Sequence, residues 1–203
     1  MRTLVVATQN MHKLEEFREH FSGIKLASLS GFEGFVMPPE TGDTFLENAI
    51  IKARAVHQQT GHIALADDSG LVVDALNGAP GIRSARYVDG SDKDRYVALL
   101  KAMQNHTQRS ARFMACLAIA GLPKDLSLPN GVSRQDDMIF VHGRVEGVIA
   151  RVARGANGFG YDPIFELSDG KTMAEISPAE KQAQSHRGNA AKLLWPLLRD
   201  YFS

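Results

Sequence analysis

The sequence lacks the features that mark a secreted, membrane-spanning or disulfide-stapled protein. Its single cysteine, Cys116, excludes an internal disulfide and a cysteine-rich zinc site and is typical of a reducing cytosol. No run of about 18 apolar residues is present, the length needed to cross a membrane. The apolar run at the N-terminus ends at Thr8 and is too short for a signal peptide. We therefore predict a soluble cytoplasmic protein with no membrane partner.

An excess of one charge is also absent. Lys plus Arg and Asp plus Glu number 23 each among the 203 residues, so the formal net charge is zero. Dedicated nucleic-acid binders usually carry a basic excess, and we predict that nucleic acid is not a partner. Repeats, low-complexity segments and linkers are missing too, while 44% of the residues are hydrophobic. This composition predicts one globular domain over residues 1–203.

Hydrophobic periodicity predicts strands that alternate with helices. A valine-rich run, Thr3–Ala7, predicts a buried strand, and a helix follows soon after Asn10. A capping box that starts at Thr44 begins a second helix, which ends near Gly61. Further strands are predicted at 63–66, 71–73 and 112–120, together with a strand pair over 138–150 that is broken near Gly143 or Gly147. A surface loop is predicted over 121–137. Helices are predicted over 92–103, after Ser177 and around Pro196, and the proline should bend or interrupt the last helix. The fold class is therefore α/β with a mixed sheet.

The polar segment between the first strand and the first helix is the first candidate site. It consists of Thr8, Gln9, Asn10, Met11, His12 and Lys13. The free N–H groups at a helix start favour anions, and the Thr8 and Asn10 side chains suit phosphate oxygens. A lysine in the first turn opposes the helix dipole, so an anionic partner would explain Lys13. The alternative is a capped helix start with a surface lysine.

Adjacent carboxylates form the second candidate site. Asp67 and Asp68, followed by Ser69 and Gly70, are expected to interrupt an apolar strand. Neighbouring like charges are unfavourable unless a cation intervenes, and a hard divalent cation such as Mg²⁺, shared with phosphate, has the required chemistry. Glu40 is a possible further ligand, although a glutamate in a turn is usually just solvated. The alternative is a polar turn with two solvated aspartates, which the apolar runs on both sides disfavour.

A glycine-rich segment that contains aromatic residues is the third candidate. Phe159, Gly160, Tyr161 and Asp162 lie between Gly158 and Pro163. A flat base stacked on an aromatic side chain gains about 1–3 kcal/mol, and the Asp162 carboxylate is suited to accept a hydrogen bond from a ring N–H. The alternative is a glycine-rich turn whose aromatics pack in the core.

Basic and polar residues near the C-terminus form the fourth candidate. Lys181 and Ser185 are four residues apart and share one helix face. His186 and Arg187 follow directly, and donors that face one way suit phosphate or a base carbonyl. The alternative is a solvated helix end before a glycine cap at Gly188.

Taken in order, these segments resemble the Ham1/RdgB family of inosine/xanthosine triphosphate pyrophosphatases. The resemblance covers nearly the whole chain. The matching motifs are Thr8-x-Asn10-x-x-Lys13, Pro39-Glu40-Thr41-Gly42, Phe45-x-Glu47-Asn48-Ala49, Ala66-Asp67-Asp68-Ser69-Gly70-Leu71, the run from Gly78 to Tyr87, Gly158-Phe159-Gly160-Tyr161-Asp162-Pro163 and Ser185-His186-Arg187-Gly188.

The resemblance implies a fold and an activity. The fold is expected to be an elongated α/β structure, with a central mixed sheet, flanking helices and two lobes around an active-site cleft. The family is usually homodimeric and hydrolyses deaminated purine nucleoside triphosphates to the monophosphate and pyrophosphate with Mg²⁺.

The resemblance also implies a role for each matching residue. Asp68 is the expected catalytic carboxylate and Mg²⁺ ligand, Glu40 is a second metal position, and Ser69 touches substrate. The phosphate-binding positions are Thr8, Gln9, Asn10, Met11, His12 and Lys13, and the nucleotide pocket is formed by Phe159, Gly160, Tyr161, Asp162, Lys181, His186 and Arg187.

Two other interpretations remain open at the level of sequence. One is a Maf-type nucleotide pyrophosphatase that acts on pyrimidine or methylated nucleotides. The other is a nucleotide-sensing or RNA-binding module without turnover. The zero net charge disfavours RNA binding, and so does the Asp67–Asp68 pair, since carboxylates repel a phosphate backbone unless a metal lies between them.

Overall fold

Strands and helices alternate along the chain. The computed structural model describes residues 2–203. Its elements, in order, are β1 (Leu4–Val6), α1 (Met11–His20), β2 (Leu26–Ser28), α2 (Phe45–Thr60), β3 (Ile63–Val73), α3 (Asp92–Ala102), β4 (Ser110–Ala120), β5 (Ser133–Gln135), β6 (Met138–Ile149), β7 (Phe165–Glu166), α4 (Pro178–Gln184) and α5 (His186–Phe202). Short 3-10 turns add Leu29–Gly31, Asp74–Leu76, Gly81–Arg86 and Asp162–Ile164.

All seven strands belong to one sheet. The strand order is β2-β1-β3-β4-β6-β5, and β7 pairs with β6. β1 runs parallel to β2 and to β3, with Leu4 opposite Leu26 and Ile63. β6 runs antiparallel to β5 and to β7. The predicted α/β class with a mixed sheet is therefore confirmed.

The chain divides into two compact units. The first contains residues 2–68, 115–143 and 187–203, and the second contains 69–114 and 144–186. β3, β4 and β6 each pass from one unit into the other. Each unit has buried hydrophobic residues of its own.

The first unit is a sheet with helices on both faces, as strand alternation requires. Leu4 and Val6 of β1 pack in one cluster with buried residues of α1 and α5. Val5, between them, packs in another cluster with buried residues of α2. Both helix starts are specified locally, because the Asn10 side chain caps α1 and a capping box that begins at Thr44 caps α2.

The second unit has one aromatic-rich core. Leu71 of β3, Leu99 of α3, Phe113 of β4 and Phe165 of β7 meet there, together with the ring of Tyr161. The α4 helix of this unit begins at the predicted capping box of Ser177, with Pro178 at its first position.

Several strand predictions were wrong, and packing explains why. β6 is not broken at Gly143 or at Gly147. A Cβ at Gly147 would lie 2.5 Å from the Glu166 carbonyl oxygen, so this glycine admits the neighbouring β7. The predicted loop over 121–137 contains the short strand β5, which gains its hydrogen bonds from β6. β3 continues through Asp67–Gly70 without a break, for the electrostatic reason given below.

Of the two outcomes expected at Pro196, a bend or an interruption, the structure excludes the interruption. α5 continues through the proline, and buried Leu194, Leu197 and Leu198 anchor it to the core on both sides of that residue. Gly188 is not a cap, because it lies in the first turn of α5. Among the helices described over residues 2–203, none has the length and apolar character needed to cross a membrane.

Candidate functional site

The two adjacent aspartates point to opposite faces of β3. Successive side chains of a strand alternate between faces, so Asp67 lies on the face of Leu65 and Asp68 on the face of Ala66. The first face is covered by α1 and α5, and the second by α2. Both residues are buried, with 4% and 7% exposure, which excludes a turn with two solvated aspartates.

Asp68 shares a lysine with Glu40. The ammonium of Lys52 on α2 donates to Asp68 Oδ1 at 2.9 Å, to Glu40 Oε1 at 2.7 Å and to the Asp67 carbonyl oxygen at 2.9 Å. Burial raises the pKa of Asp68, although the charge of Lys52 acts in the opposite direction. Burial acts to lower the pKa of Lys52, but Asp68 and Glu40 outweigh it and the pKa is raised. Glu40 is therefore part of a charged cluster and not a merely solvated turn residue.

Asp67 is neutralised by cations from two helices. Its carboxylate contacts the Lys13 ammonium of α1 and, at 3.2 Å, Arg187 Nε of α5. Burial acts to raise its pKa, but Lys13 and Arg187 outweigh burial and hold the pKa far below its usual range. Arg187 also donates from Nη1 to Glu16 Oε2 at 2.7 Å. The two carboxylates are thus compensated separately, and β3 has no need to leave the sheet.

Lys13 has an anionic partner within the protein. Its side chain is 19% exposed, so it is not the surface lysine of the alternative interpretation, and the Asp67 carboxylate offsets its unfavourable place in the first turn. Asn10 caps that turn, because its Oδ1 accepts from the N–H groups of His12 and Lys13 at 3.0 and 3.4 Å. Asn10 N–H in turn donates to Thr8 Oγ1 at 3.1 Å. Gln9, Asn10, Met11 and His12 are exposed.

Glu40 and Asp68 fit a hard divalent cation. Their carboxylates meet at one ammonium, and the buried Asp68 Oδ2 has no hydrogen-bond partner among the described residues. Within residues 2–203 the structure holds no group of three or more His, Cys, Asp or Glu side chains suited to a metal ion. Mg²⁺ needs only one or two protein carboxylates when water and phosphate complete its shell. Glu40 and Asp68 offer carboxylate oxygens of this kind.

Sequence reasoning missed Lys52 and Glu16. The sequence did contain a signal for Lys52. It lies between Ala49 and Val56 on the buried face of α2, and a lysine on the apolar face of an amphipathic helix is rarely buried without a partner. Glu16 gave no comparable signal, since it is one of several glutamates on the polar side of α1.

In the second unit, Gly70 is required by the protein's own packing. A Cβ at Gly70 would lie 2.5 Å from the Gly81 carbonyl oxygen and still closer to Ser84 Oγ. That hydroxyl accepts from Leu71 N–H at 2.9 Å and donates to the Gly81 carbonyl at 2.6 Å. The segment that follows Ser69 is therefore held by the 3-10 turn at Ser84.

The loop that carries Phe159 is organised around Asp162. This aspartate is 3% exposed, and its Oδ2 accepts from Phe159 N–H at 2.9 Å and from the Lys181 ammonium at 2.7 Å. The same ammonium lies 4.4 Å from the centre of the Phe159 ring, a cation–π contact. Gly158 has a φ of +76°, and a side chain there would collide with Asp162. Lys181, Phe159 and Asp162 thus form one cluster, which joins residues of the third and fourth candidate sites.

Tyr161 is core rather than surface. Its ring is 4% exposed and its hydroxyl donates to the Ser84 carbonyl oxygen at 2.8 Å. Burial raises its pKa. Of the two aromatics in the loop, only Phe159 is half-buried.

The two basic residues of the fourth candidate site have different surroundings. His186 is 4% exposed and stacks on Phe113 in the second unit, with ring centres 4.8 Å apart and planes 12° apart. Arg187, the next residue, pairs with Asp67 and Glu16 in the first unit. Ser185, His186 and Arg187 are all buried, so this segment is not the solvated helix end of the alternative interpretation.

Fold and clusters together define an α/β protein with three groups of buried charges. Two of them pair Asp67 and Asp68 with cations on the two faces of β3, and the third surrounds an aromatic glycine-rich loop. The chain matches the Ham1 family over residues 4–197. It belongs to that family.

Similar proteins are found among both curated sequences and solved structures. The chain is 46% identical over 197 residues to a dITP/XTP pyrophosphatase of Symbiobacterium thermophilum, covering 93% of this chain and 91% of that protein. It is 43% identical over 210 residues to a dITP/XTP pyrophosphatase of Bacillus anthracis, covering 100% and 98%. A Ham1 protein structure from Coxiella burnetii superimposes with a TM-score of 0.85 at 42% identity, covering 98% of this chain and 100% of that one.

Proposed function

We propose that this chain hydrolyses deaminated purine nucleoside triphosphates, ITP, dITP and XTP, to the monophosphate and pyrophosphate. This removes them from the nucleotide pool. The observation that carries the proposal is the Asp68 carboxylate, which is buried, held through Oδ1 by Lys52 and without a hydrogen-bond partner at Oδ2 among the described residues. The curated relatives, named dITP/XTP pyrophosphatases, support the substrate class.

In this proposal Asp68 receives the proton of the attacking water. Water forms a bond to one phosphorus of the α–β anhydride, and the bond from that phosphorus to the bridging oxygen breaks. Pyrophosphate and the nucleoside monophosphate leave. Lys52 donates a 2.9 Å hydrogen bond to Oδ1 of the Asp68 carboxylate. This bond fixes the orientation of the carboxylate and therefore the direction of Oδ2. A positioned carboxylate base accelerates such a step by about 10²- to 10⁴-fold.

Magnesium is the proposed cofactor, held by Glu40 and Asp68. When bound, it neutralises phosphate charge and lowers the pKa of a bound water. Lys52 already gathers both carboxylates, which keeps the two oxygens that would hold the ion close together.

The polyphosphate and the base of the nucleotide are proposed to be recognised by different groups of residues. The start of α1, with Thr8, Asn10 and Lys13, binds the polyphosphate, and Ser69 adds a further contact. The cluster around Phe159, with Asp162, Lys181 and His186, binds the purine base. We further propose that residues 1–203 act as one catalytic domain, as a homodimer, in the cytoplasm.

The test of this function is a panel of triphosphates with Mg²⁺, scored for phosphate and for pyrophosphate. Hypoxanthine and xanthine present an O6 acceptor and an N1–H donor, whereas adenine reverses both. Lys181 and His186 as donors match O6, so ATP should be rejected by up to about 10⁴-fold in kcat/KM. GTP differs from ITP only at C2 and should be rejected less firmly. A kcat/KM for ATP or GTP within about tenfold of ITP would replace this function by general nucleotide pyrophosphatase activity.

The same panel separates the alternatives, which the family assignment does not favour. A Maf-type specificity requires a preference for pyrimidine or methylated nucleotides. A module without turnover requires that no pyrophosphate appears with any triphosphate.

Removal of the metal is expected to abolish turnover. Excess EDTA should stop pyrophosphate release from ITP, and Mg²⁺ or Mn²⁺ should restore it. Glu40→Gln should raise the Mg²⁺ concentration for half-maximal rate about tenfold, because the amide is a poorer ligand yet still accepts from Lys52. Glu33→Gln, in the exposed part of the same loop, is the matched control. Full activity in excess EDTA contradicts the metal assignment.

Loss of Lys13 should affect triphosphate more than monophosphate. Lys13→Ala removes a cation from the first turn of α1, and the loss of one charge-assisted hydrogen bond corresponds to about tenfold or more in binding. We expect KM for ITP to rise by that factor, with a much smaller change in the inhibition constant of inosine monophosphate. Lys25→Ala, at an exposed position, is the control. Equal losses for both ligands would show that Lys13 does not act on the polyphosphate.

A further inference from the structure

The first residue of α3 is tied to the loop that carries Phe159. Asp92 Oδ2 accepts a hydrogen bond from Gly160 N–H at 2.7 Å, across 68 residues of sequence. Its other oxygen, Oδ1, accepts from Arg95 Nη2 at 2.6 Å, and Arg95 Nη1 donates to the Gly90 carbonyl oxygen at 2.9 Å. Because both oxygens are engaged, the carboxylate is held in one orientation.

This hydrogen bond holds the peptide group between Phe159 and Gly160. Gly160 has a φ of +64°, which lies in the left-handed region. Glycine enters this region without strain but can equally adopt other backbone conformations. The neighbouring attachments lie on either side: Phe159 N–H is bound to Asp162 at 2.9 Å, and the Tyr161 hydroxyl is bound to the Ser84 carbonyl at 2.8 Å. Two peptide groups lie between these points. Asp92 holds the N–H of the first, and the carbonyl oxygen of the same group, on Phe159, accepts from Asp162 N–H at 3.3 Å. Asp92 therefore supplies the attachment from α3 that helps to set the direction of the chain as it leaves Phe159.

We propose that Asp92 is a positioning residue for recognition of the purine base. It does not touch the nucleotide but holds the Phe159–Gly160 peptide, and through it the aromatic ring and the N–H groups of the loop, in the conformation that receives the base. The proposal rests on the proposed function, in which this loop contacts the base.

The helix itself does not require this carboxylate. The start of α3 is capped by Ser91 and Asp94, since Asp94 N–H donates to Ser91 Oγ at 3.3 Å and Ser91 N–H donates to Asp94 Oδ2 at 2.7 Å. The Asp92 side chain is 46% exposed, and exposed ion pairs contribute little to stability. A substitution at Asp92 should therefore leave the protein folded and act on the loop.

The experiment compares Asp92→Ala with wild type on ITP and on inorganic tripolyphosphate. We expect KM for ITP to rise about tenfold with kcat within about twofold, because one charge-assisted hydrogen bond to the base-binding loop is lost. The inhibition constant of tripolyphosphate, which has no base, should not change. Amide hydrogen exchange at Gly160 should become faster, which reports directly on the loop.

Two further variants separate positioning from general structure. Asp92→Asn keeps an acceptor oxygen for Gly160 N–H and should return KM to within about twofold of wild type. Arg95→Met removes the ion pair but leaves that hydrogen bond, so KM and Gly160 exchange should stay near wild type. Thermal melting of each variant shows that the fold is retained.

Each contrary result overturns a specific statement. An unchanged KM in Asp92→Ala, with wild type active on ITP, overturns the role of Asp92 and leaves the proposed function intact. An equal loss of tripolyphosphate affinity, or a failure of Asp92→Asn to recover KM, shows that Asp92 does not act through the base. Absence of pyrophosphate release from ITP by wild type overturns the proposed function, and the role of Asp92 in base recognition with it.

Discussion

Asp68→Asn should lower kcat for ITP by about 10³- to 10⁴-fold and leave the fold intact. The amide cannot accept the proton of water and is a poor magnesium ligand, so both proposed roles of this side chain are lost at once. The amide is nearly isosteric with the carboxylate, and its oxygen still accepts from Lys52. That ammonium also keeps Glu40 and the Asp67 carbonyl as acceptors, so no buried cation is left unpaired.

Asp137→Asn is the matched control for this change. Asp137 forms an exposed ion pair with Arg54, with 52% and 42% of the two side chains accessible, and its substitution should alter neither kcat nor stability. Steady-state pyrophosphate release and a thermal melt of each variant are the measurements. Turnover near the wild-type rate in Asp68→Asn would remove this residue from the chemistry.

The same substitution one residue earlier should act on stability instead. Asp67→Asn is expected to lower the free energy of unfolding by about 3–5 kcal/mol, as when one partner of a buried ion pair is removed. Asp67 has a fully buried side chain that faces both Lys13 and Arg187, and the substitution removes one negative charge that both cations face. Urea denaturation at neutral pH measures the effect.

A double-mutant cycle tests this explanation. In a Lys13→Met background, one of the two cations is already absent, so Asp67→Asn should destabilise the protein less than it does alone. Strictly additive effects, or a loss below about 1 kcal/mol for Asp67→Asn, which is the range of exposed pairs, would show that the buried network does not carry stability.

Local signals in the sequence were sufficient for much of the fold. Asn10, Thr44 and Ser177 each stand at a predicted helix start, and each caps a helix in the structure. Capping depends on a side chain and the next three backbone N–H groups, so a helix start can be recognised from a few consecutive residues. The strands β1 and β4 were equally clear, because buried strands form continuous apolar runs.

Breaks in strands were predicted poorly, since they depend on what lies alongside. In the sequence alone, Gly147 and the pair Asp67–Asp68 resemble the ends of strands. In the structure, β7 packs against the first, and cations on two faces neutralise the second. Neither neighbour is close in sequence.

By itself, the sequence determined the α/β class and the helix starts. It also determined which segments hold the side chains suited to bind phosphate and which hold the acidic, aromatic and basic side chains. Only the tertiary structure decided that Asp67 and Asp68 belong to separate charge clusters, that Lys52 joins Asp68 to Glu40, that Tyr161 is core, and that Asp92 holds Gly160. Residue types and short-range spacing express local preferences of the backbone. The partner of a buried charge or a loop N–H is set by which strands and helices pack together, and those contacts join residues as far apart as Asp67 and Arg187, 120 positions along the chain.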